Sequence, residues 1–330
     1  MKRKIESKTW LNTKWGRIGK FGVLGATIVV YPIGTLLLNG PLLKYYFSWR
    51  YKTSSDLPEH LRAIVDSQYK LWLDRESRSP KDAVVHFSCS SSDGRIMKVM
   101  DTIGHGSMGV RFGARISLPF YTQLRNLDEA IEYCKSNLKV LNFIGEPVRI
   151  LWDSNVGTEI AKTFVLGEQE IKFLVLRDLC TYDGYAAYIT RALSWATFST
   201  FSSIFTYWMH QRKIFQQSFH SFIALYLIFL LFAWFGSLQW YKLYKFVCNI
   251  HADSVAAQTS PDHCYGGKEF YWKMLRRNRI LRELIPAGTI SVKPSGDIRK
   301  MTTSILTRFD NIKDIDSENE EIKETTFGDD

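Results

Sequence analysis

Residues 221–238 read SFIALYLIFLLFAWFGSL. The run holds no Lys, Arg, Asp or Glu, and it lies inside a longer uncharged window, 214–241. A helix needs about 20 apolar residues to cross a hydrocarbon core. The window meets that length, so the chain is expected to be a membrane protein. Two other windows, 21–43 and 192–211, also lack charge. The first contains GVLGATIVVYPIGTLLL (22–38), with Pro32 placed to kink a helix. The other contains ALSWATFSTFSSIFTYWM (192–209), which carries seven Ser or Thr. Those hydroxyls can bond to their own helix or to a neighbour. A buried soluble helix is the competing reading of that window. Trp195, Trp208, Trp234, Trp240 and Tyr241 cluster near window ends, as aromatic side chains do at lipid–water boundaries.

The net charge of +10 is unevenly spread over the 330 residues. Residues 1–20 hold seven Lys or Arg and one acid, Glu6; residues 310–330 hold nine acids and two Lys. No basic run interleaves with aromatics as a base-stacking platform would, so nucleic acid is not an expected partner. KMLRRNRILRE (273–283) reads instead as a solvated helix face. The apolar part of the N-terminal window is too long for a secretory signal and shows no small-residue cleavage site. A basic, acid-poor head before a span fits an uncleaved mitochondrial anchor equally well. The link HQRKIFQQ (210–217) is also basic, which places it and the N-terminus on the matrix or cytosolic side. Five widely spaced cysteines (89, 134, 180, 248, 264) read as free thiols or at most one pair.

Between the first two windows the patterns are mixed. Leu57, Leu61, Ile64, Val65, Tyr69 and Trp72 recur at helical spacing after Pro58. Segments 83–88, 95–101 and 114–118 are strand candidates. Asn126 and Glu129 stand at capping-box spacing before a helix. EPVRILWD and TEIAKTFVL flank SNVG and read as a hairpin. From Glu168 a helical pattern continues into the second window, weakest at Gly184. Past the third window, a helix from about 242 to 259, another over GGKEFYWKMLRRNRILREL, and a short hairpin in GTISVKPSGDIR are expected. The acidic end, 310–330, lacks an apolar pattern and is expected to be disordered.

Two motifs bear on chemistry. GHGSMG (104–109) matches G-x-G-x-x-G, but VRFGARISLP follows it as a strand, whereas a dinucleotide loop opens a helix. It reads as a glycine-rich loop between strands. CNIHADSVAAQ (248–258) packs Cys248, His251 and Asp253 close together. His251 and Asp253 are two apart and diverge on a helix, where a metal pair prefers i, i+4. A helix start is the plainer reading.

The order span, mixed section, helix, two spans and a helix bearing Ala252-Asp253 resembles membrane zinc metallopeptidases of the HtpX/Oma1 type. In those enzymes H-E-x-x-H lies on one helix, and a Glu four residues before the Asp of an A-D pair is the third ligand. Here Arg177, Asp178 and Thr181 stand where His, Glu and His are needed, and Asn249 stands for the Glu. GARISLP resembles the strand that holds substrate. Zinc catalysis needs three lone-pair ligands and a base. Arg has no acceptor and a permanent charge; Thr and neutral Asn are poor ligands. Arg177, Asp178, Thr181, Asn249 and Asp253 are therefore expected to be vestigial, with no metal, cofactor or catalytic residue.

CYGGKEFYWKMLRRNRILREL followed by KPSGDI, and a span followed by LPEHLRAIVD, resemble the transmembrane protein 177 family over roughly residues 15–310. The resemblance implies a multi-pass protein of the mitochondrial inner membrane that supports cytochrome c oxidase assembly, near newly made subunit 2 and its membrane chaperone. Asn249 departs from the Glu that the family carries there.

The combined expectation is an α+β membrane protein, with three transmembrane helices and a mixed soluble section resembling a degenerate zincin. Its parts are a basic head (1–20), spans at 21–43, 192–209 and 218–240, a soluble section (44–191), a basic loop (210–217), a C-terminal helical section (241–309) and an acidic tail (310–330). Its expected function is non-enzymatic assembly. Gly19, Gly22, Gly25 and Ala26 are candidate helix-packing positions, and lipid is an expected partner. The alternative is an active metallopeptidase with unusual ligands drawn from His86, His105, His251 or His263. A transporter is disfavoured, because no charged residue lies inside a span.

Overall fold

The computed structural model describes residues 13–51, 53–54, 56–90, 101–212 and 219–326, with side chains to residue 316. The chain opens with α1 (Lys14–Asn39), α2 (Leu43–Arg50), β1 (Thr53–Ser54) and α3 (Glu59–Glu76). A strand-rich stretch follows: β2 (Val85–Ser90), β3 (Ile103–Gly106), β4 (Ala114–Leu118), α4 (Leu127–Asn137), β5 (Leu141–Phe143) and β6 (Glu146–Val148). The rest is helical: α5 (Asn155–Lys162), α6 (Glu168–Thr181), α7 (Gly184–Gln211), α8 (Phe219–Ala257), α9 (Pro261–Leu284), α10 (Gly288–Ser291) and α11 (Ile305–Thr326). Two compact units result, Met1–Asn39 with Tyr188–Tyr244, and Gly40–Ala187 with Lys245–Asp330.

The first unit gathers α1 with most of α7 and α8. Among the described residues two helices, α1 and α8, are long and apolar enough to cross a membrane. The expected third span, 192–209, falls in α7, which is not one of them. Its hydroxyls explain why: they lower its hydropathy and turn inward. Ser202 Oγ donates to the Phe229 carbonyl of α8 at 3.0 Å, and the hydroxyls of Ser203 and Tyr226 lie 3.3 Å apart. Ser199 and Thr206 bond back to carbonyls of their own helix. The face of α1 that packs carries Gly16, Lys20 and Leu24. Further along it, the Thr27 hydroxyl meets that of Tyr226, and Trp195 Nε1 donates to the Thr27 carbonyl at 2.9 Å. The anticipated stripe of Gly19, Gly22, Gly25 and Ala26 lies off this face. Gly22 and Ala26 are exposed, and a Cβ on Gly22 or Gly25 would touch nothing. Gly16, hydrogen bonds and ring contacts make up the face that packs within the chain.

The second unit is built on a four-stranded sheet of order β1-β2-β4-β3, parallel between β2 and β4 and antiparallel elsewhere. β4 is paired on both sides, so the strand compared with a substrate-holding edge has no free edge. α3, α6, α9 and α11 pack in succession, α6 against α3 and α9, and α9 against α11. Two glycines allow the α9 contacts. A Cβ on Gly266 would collide with the backbone of Gln169, and one on Gly267 would meet Phe173 and Ile312. Both pairs of contacts account physically for the GG of GGKEFY.

Several local expectations hold. α3 has the expected apolar face, and Asn126 Oδ1 accepts from the Glu129 amide at 2.8 Å. The reciprocal carboxylate bond goes to the Arg125 amide instead of Asn126. Gly184, with φ +72°, separates α6 from α7. The strand candidate 95–101 lies outside the described residues except for Asp101, and so does most of the 210–217 link.

Other expectations are corrected. SNVG starts α5, because Ser154 Oγ accepts from the Gly157 amide at 3.1 Å. The hairpin lies earlier, between β5 and β6, where Ile144 and Gly145 both take positive φ, as a tight antiparallel turn demands. Part of GHGSMG is itself strand β3. The helix expected from 242 is the continuation of α8, with no break after the apolar run. The final hairpin reduces to one bridge between Val292 and Ile298 after the short α10. The acidic tail is helical as far as Thr326, because Ile305, Ile312 and Ile315 bury a stripe against the body.

Candidate functional site

The zincin-like positions fall on two helices of the second unit, Arg177, Asp178 and Thr181 on α6, Asn249 and Asp253 on α8. Three of the five enter one buried network. Arg177 is 3% exposed, and its Nε and Nη2 donate to Asp178 Oδ1 at 3.0 and 2.7 Å. Nη2 also reaches Asp101 Oδ1 at 2.8 Å, and Nη1 donates to the Tyr271 hydroxyl at 3.3 Å. That hydroxyl donates in turn to Asp253 Oδ1 at 2.8 Å. Arg308, from α11, grips Asp253 with both ends of its fork, Nε to Oδ2 at 2.6 Å and Nη2 to Oδ1 at 2.8 Å. Arg308 Nη1 lies 3.6 Å from Asp101 Oδ2. Ring faces complete the shell: Arg177 stacks over Phe270 and Arg308 over Tyr271. One loop and four helices are thereby tied through three carboxylates, two guanidinium groups and a phenol.

Thr181 and Asn249 are not in the network. Thr181 Oγ1 donates to the Arg177 carbonyl at 2.9 Å, and Asn249 Nδ2 donates to Thr303 Oγ1 at 3.0 Å. Each does local work on its own side of the fold.

The electrostatics follow from burial. Desolvation pushes the Asp178 carboxyl up to about 6 against the pull of Arg177, with Asp101 adding to the rise. Burial also raises Asp101, but Arg177 and Arg308 outweigh it and hold that carboxyl below its usual range. Burial works against the Arg177 charge, and Asp101 and Asp178 more than restore it. The guanidinium groups are therefore permanently charged, and Arg308 engages both oxygens of Asp253, whereas Arg177 meets only Oδ1 of Asp178 and leaves its Oδ2 buried without a hydrogen-bond partner. A bidentate Arg leaves its carboxylate little capacity for a cation.

The four histidines of the alternative reading are dispersed. His86 and His105 both stand opposite Arg115 across the sheet. His105 Nε2 is 3.0 Å from the Tyr51 hydroxyl. His251 is exposed on α8. His263 is buried with both ring nitrogens engaged, by Ser260 Oγ at 2.7 Å and Gln68 Oε1 at 2.9 Å. No group of three or more His, Cys, Asp or Glu placed to hold a metal occurs among the described residues. The five cysteines are free thiols, and burial pushes Cys89 and Cys264 up to about 11 and Cys134 to about 12. A protonated thiol is a poor nucleophile and a poor ligand.

The match to known proteins covers nearly everything described. The family model for transmembrane protein 177 matches residues 11–330. The chain belongs to that family. A Caenorhabditis elegans relative, itself described only as uncharacterized, is 45% identical over 316 residues, 95% of this chain and 94% of its own. No solved structure matches. Membership of the transmembrane protein 177 family and the two apolar helices agree that this is a membrane protein.

Three network members escaped the sequence reading: Asp101, Tyr271 and Arg308. Tyr271 sits in GGKEFY; Phe270 and Tyr271 are fully buried, while Tyr265 and Trp272 are partly exposed. Arg308 precedes the segment taken as disordered. The signal for it was the spacing of Ile305, Phe309, Ile312 and Ile315. KMLRRNRILRE is likewise only partly a solvated face, because Arg277 is 1% exposed between the rings of Tyr121 and Phe164.

Proposed function

We propose that the protein acts by binding and not by chemistry. It is a non-enzymatic, multi-pass assembly factor of the mitochondrial inner membrane, supporting biogenesis of cytochrome c oxidase subunit 2 by stabilising its membrane chaperone complex. One observation carries the non-enzymatic part. Where a zinc peptidase would present ligands to a metal, Arg177 and Arg308 already occupy Asp178, Asp101 and Asp253. A metal entering there would have to displace two buried cations, leaving them unpaired at a cost of several kcal/mol each. In this reading the helices α6 and α8 keep a degenerate zincin-like frame, and α7 crosses the membrane as a third span shielded by α1 and α8. The doubly paired β4 supports the same view, since that strand, the one compared with a substrate-holding strand, has no edge of its own on which to lay a peptide.

The oxidase role rests on the family resemblance and on the membrane helices, which expose large apolar side chains such as Leu231, Phe232 and Phe235. The test is a mild-detergent pull-down of the tagged full chain from mitochondria. Recovery of oxidase subunit 2 or its chaperone is the expected result. Normal oxidase levels after deletion, with neither partner recovered, would overturn the role. Zinc at one per chain in the purified protein, with chelator-sensitive proteolysis, would overturn the non-enzymatic reading.

A further inference from the structure

The chain leaves α1 at Asn39 and begins α2 at Leu43, so α2 starts within three residues of a candidate span. α2 is two-faced. Leu43 and Phe47, four apart, are buried. Tyr45 is 70% exposed and Trp49 83%, on the opposite side. The buried side sits on the glycine-rich stretch after β3: a Cβ on Gly106 would strike Leu43 and the Gly113 carbonyl. The other end of that stretch reaches the start of α7. Met108 N donates to the Tyr182 carbonyl at 2.9 Å, Ser107 Oγ donates to the Gly184 carbonyl, and Gly109 lies against Gly184. There Tyr185 is 69% exposed. Between the two contacts, the loop presents Arg111 and Phe112 to the outside. Three segments, α2, the 107–113 loop and the first turn of α7, thus form one continuous face with outward aromatic side chains.

The described charged residues of α2 and of the 107–113 loop have one sign. Lys44, Arg50 and Arg111 are exposed, and Arg115 on β4 is half-buried. No Asp or Glu occurs from residue 40 to 54 or from 102 to 125. Asp183, the nearest acid in sequence to the α7 end, is taken by Arg78 at 2.5 Å. Arg50 stacks on Tyr46 and Tyr51, which holds its guanidinium near the aromatic side chains. Lys44 and Arg115 act together on His86, where burial and these two cations depress the imidazole.

We infer that this face, centred on Lys44, Trp49, Arg50 and Arg111, is a docking surface for anionic phospholipid headgroups. The argument is positional and electrostatic. The amphipathic body of Trp or Tyr is favoured at headgroup depth, and Lys or Arg beside it meets phosphate. A face that begins three residues after a span is held near that depth by the chain itself. Among the described residues no ion pair engages Lys44, Arg50 or Arg111, and Arg50 has only the Tyr46 hydroxyl, at 2.9 Å, and two ring faces to share with an arriving lipid phosphate. The surface would hold the second unit down on the bilayer and make its seating depend on lipid charge.

The test uses the full chain in phosphatidylcholine nanodiscs doped with spin-labelled phosphatidylglycerol or, in parallel, spin-labelled phosphatidylcholine. The motionally restricted fraction gives the relative association of each lipid. A cation near an anionic surface contributes up to about fivefold, so wild type is expected to prefer phosphatidylglycerol about tenfold. Lys44→Gln/Arg50→Gln/Arg111→Gln should prefer it less than about twofold. Lys139→Gln/Arg149→Gln, which removes exposed cations from the β5–β6 region, should keep the wild-type preference. Equal preference in wild type and the triple variant, or equal loss in both variants, overturns the proposal. Trp49→Phe gives a measurement independent of charge. It should remove a component of tryptophan fluorescence that lipids brominated near the headgroup quench, and unchanged quenching would mean that α2 does not reach the lipid.

Discussion

The two units bury polar groups by opposite means. In the helices of the first, the buried polar side chains are mostly hydroxyls. Ser199 and Thr206 are satisfied by carbonyls one turn back on the same helix, and Ser202 by a carbonyl of the neighbouring helix. In the second, the interior holds full charges. Arg177, Asp178, Asp253 and Arg308 are held by one another, by Asp101 and by Tyr271, and Arg177 lies 131 residues from Arg308 in the chain. A hydroxyl that loses a partner can turn to another carbonyl. A buried carboxylate that loses its guanidinium has nothing to turn to. The first unit should therefore tolerate polar substitutions one at a time, and the second should not.

The strongest way to break this contrast is at Asp253. Asp253→Asn leaves Arg308 charged and buried with half its fork unmatched. Removing one partner of a buried pair costs about 3–5 kcal/mol, and a similar loss is expected here, read as a large drop in thermal midpoint of the purified protein in nanodiscs. The double variant Asp253→Asn/Arg308→Met should recover much of that loss, because a neutral pair has no stranded charge. A double variant no better than the single one would mean that the ion pair itself, and not the avoidance of an orphan, holds α8 to α11.

Asp178 sharpens the comparison through pH. Its carboxyl is pushed up to about 6 by burial, whereas an unfolded Asp titrates near 3.9. A carboxyl whose value rises on folding favours the folded state while protonated. That contribution is complete below about pH 4 and is lost as pH rises through 6. Asp101 runs the other way, since its value falls on folding and its contribution is lost on acidification. Asp178→Asn has no proton to lose. Whatever its offset from wild type at pH 4, it should gain on wild type by about 2 kcal/mol between pH 4 and pH 7.5. Parallel stability curves for the two proteins over that interval would place the Asp178 carboxyl outside the buried network.

Much of the second unit was legible because its cues are local. Asn126 and Glu129 and the 57–72 apolar spacing each mark a helix within a few residues. The misreadings share a different cause. SNVG was taken for a turn because TEIAKTFVL has strand-like content, yet Ser154 caps a helix whose Ile160 and Ala161 are buried. The stripe of α11 was hidden by the acids between its isoleucines. At the candidate site, a resemblance singled out Arg177, Asp178 and Asp253, but not Asp101, Tyr271 or Arg308. Arg308 lies 55 residues from Asp253, and nothing at either position specifies the other. Within the chain, the ring contacts of Tyr31 and the bonds at Thr27 lie on the packed face of α1, and Gly22 and Ala26 stay exposed.

The smallest effect belongs to the first unit and tests the contrast from its other side. Ser202 Oγ donates to the Phe229 carbonyl of α8, an acceptor already engaged in the α-helical ladder and therefore not left bare when the hydroxyl is removed. Polar contacts between membrane helices average only about 0.6 kcal/mol in double-mutant cycles, because the separated helices also find partners. Ser202→Ala should cost about that much, with α7 and α8 still packed, since an Ala methyl fills most of the space of the hydroxymethyl group. The checking measurement is the thermal midpoint in nanodiscs, run beside Asp253→Asn. A Ser202→Ala loss as large as the Asp253→Asn loss would mean that the hydroxyls hold the helices together as strongly as the charges hold the second unit, and the distinction between local and long-range satisfaction would fall.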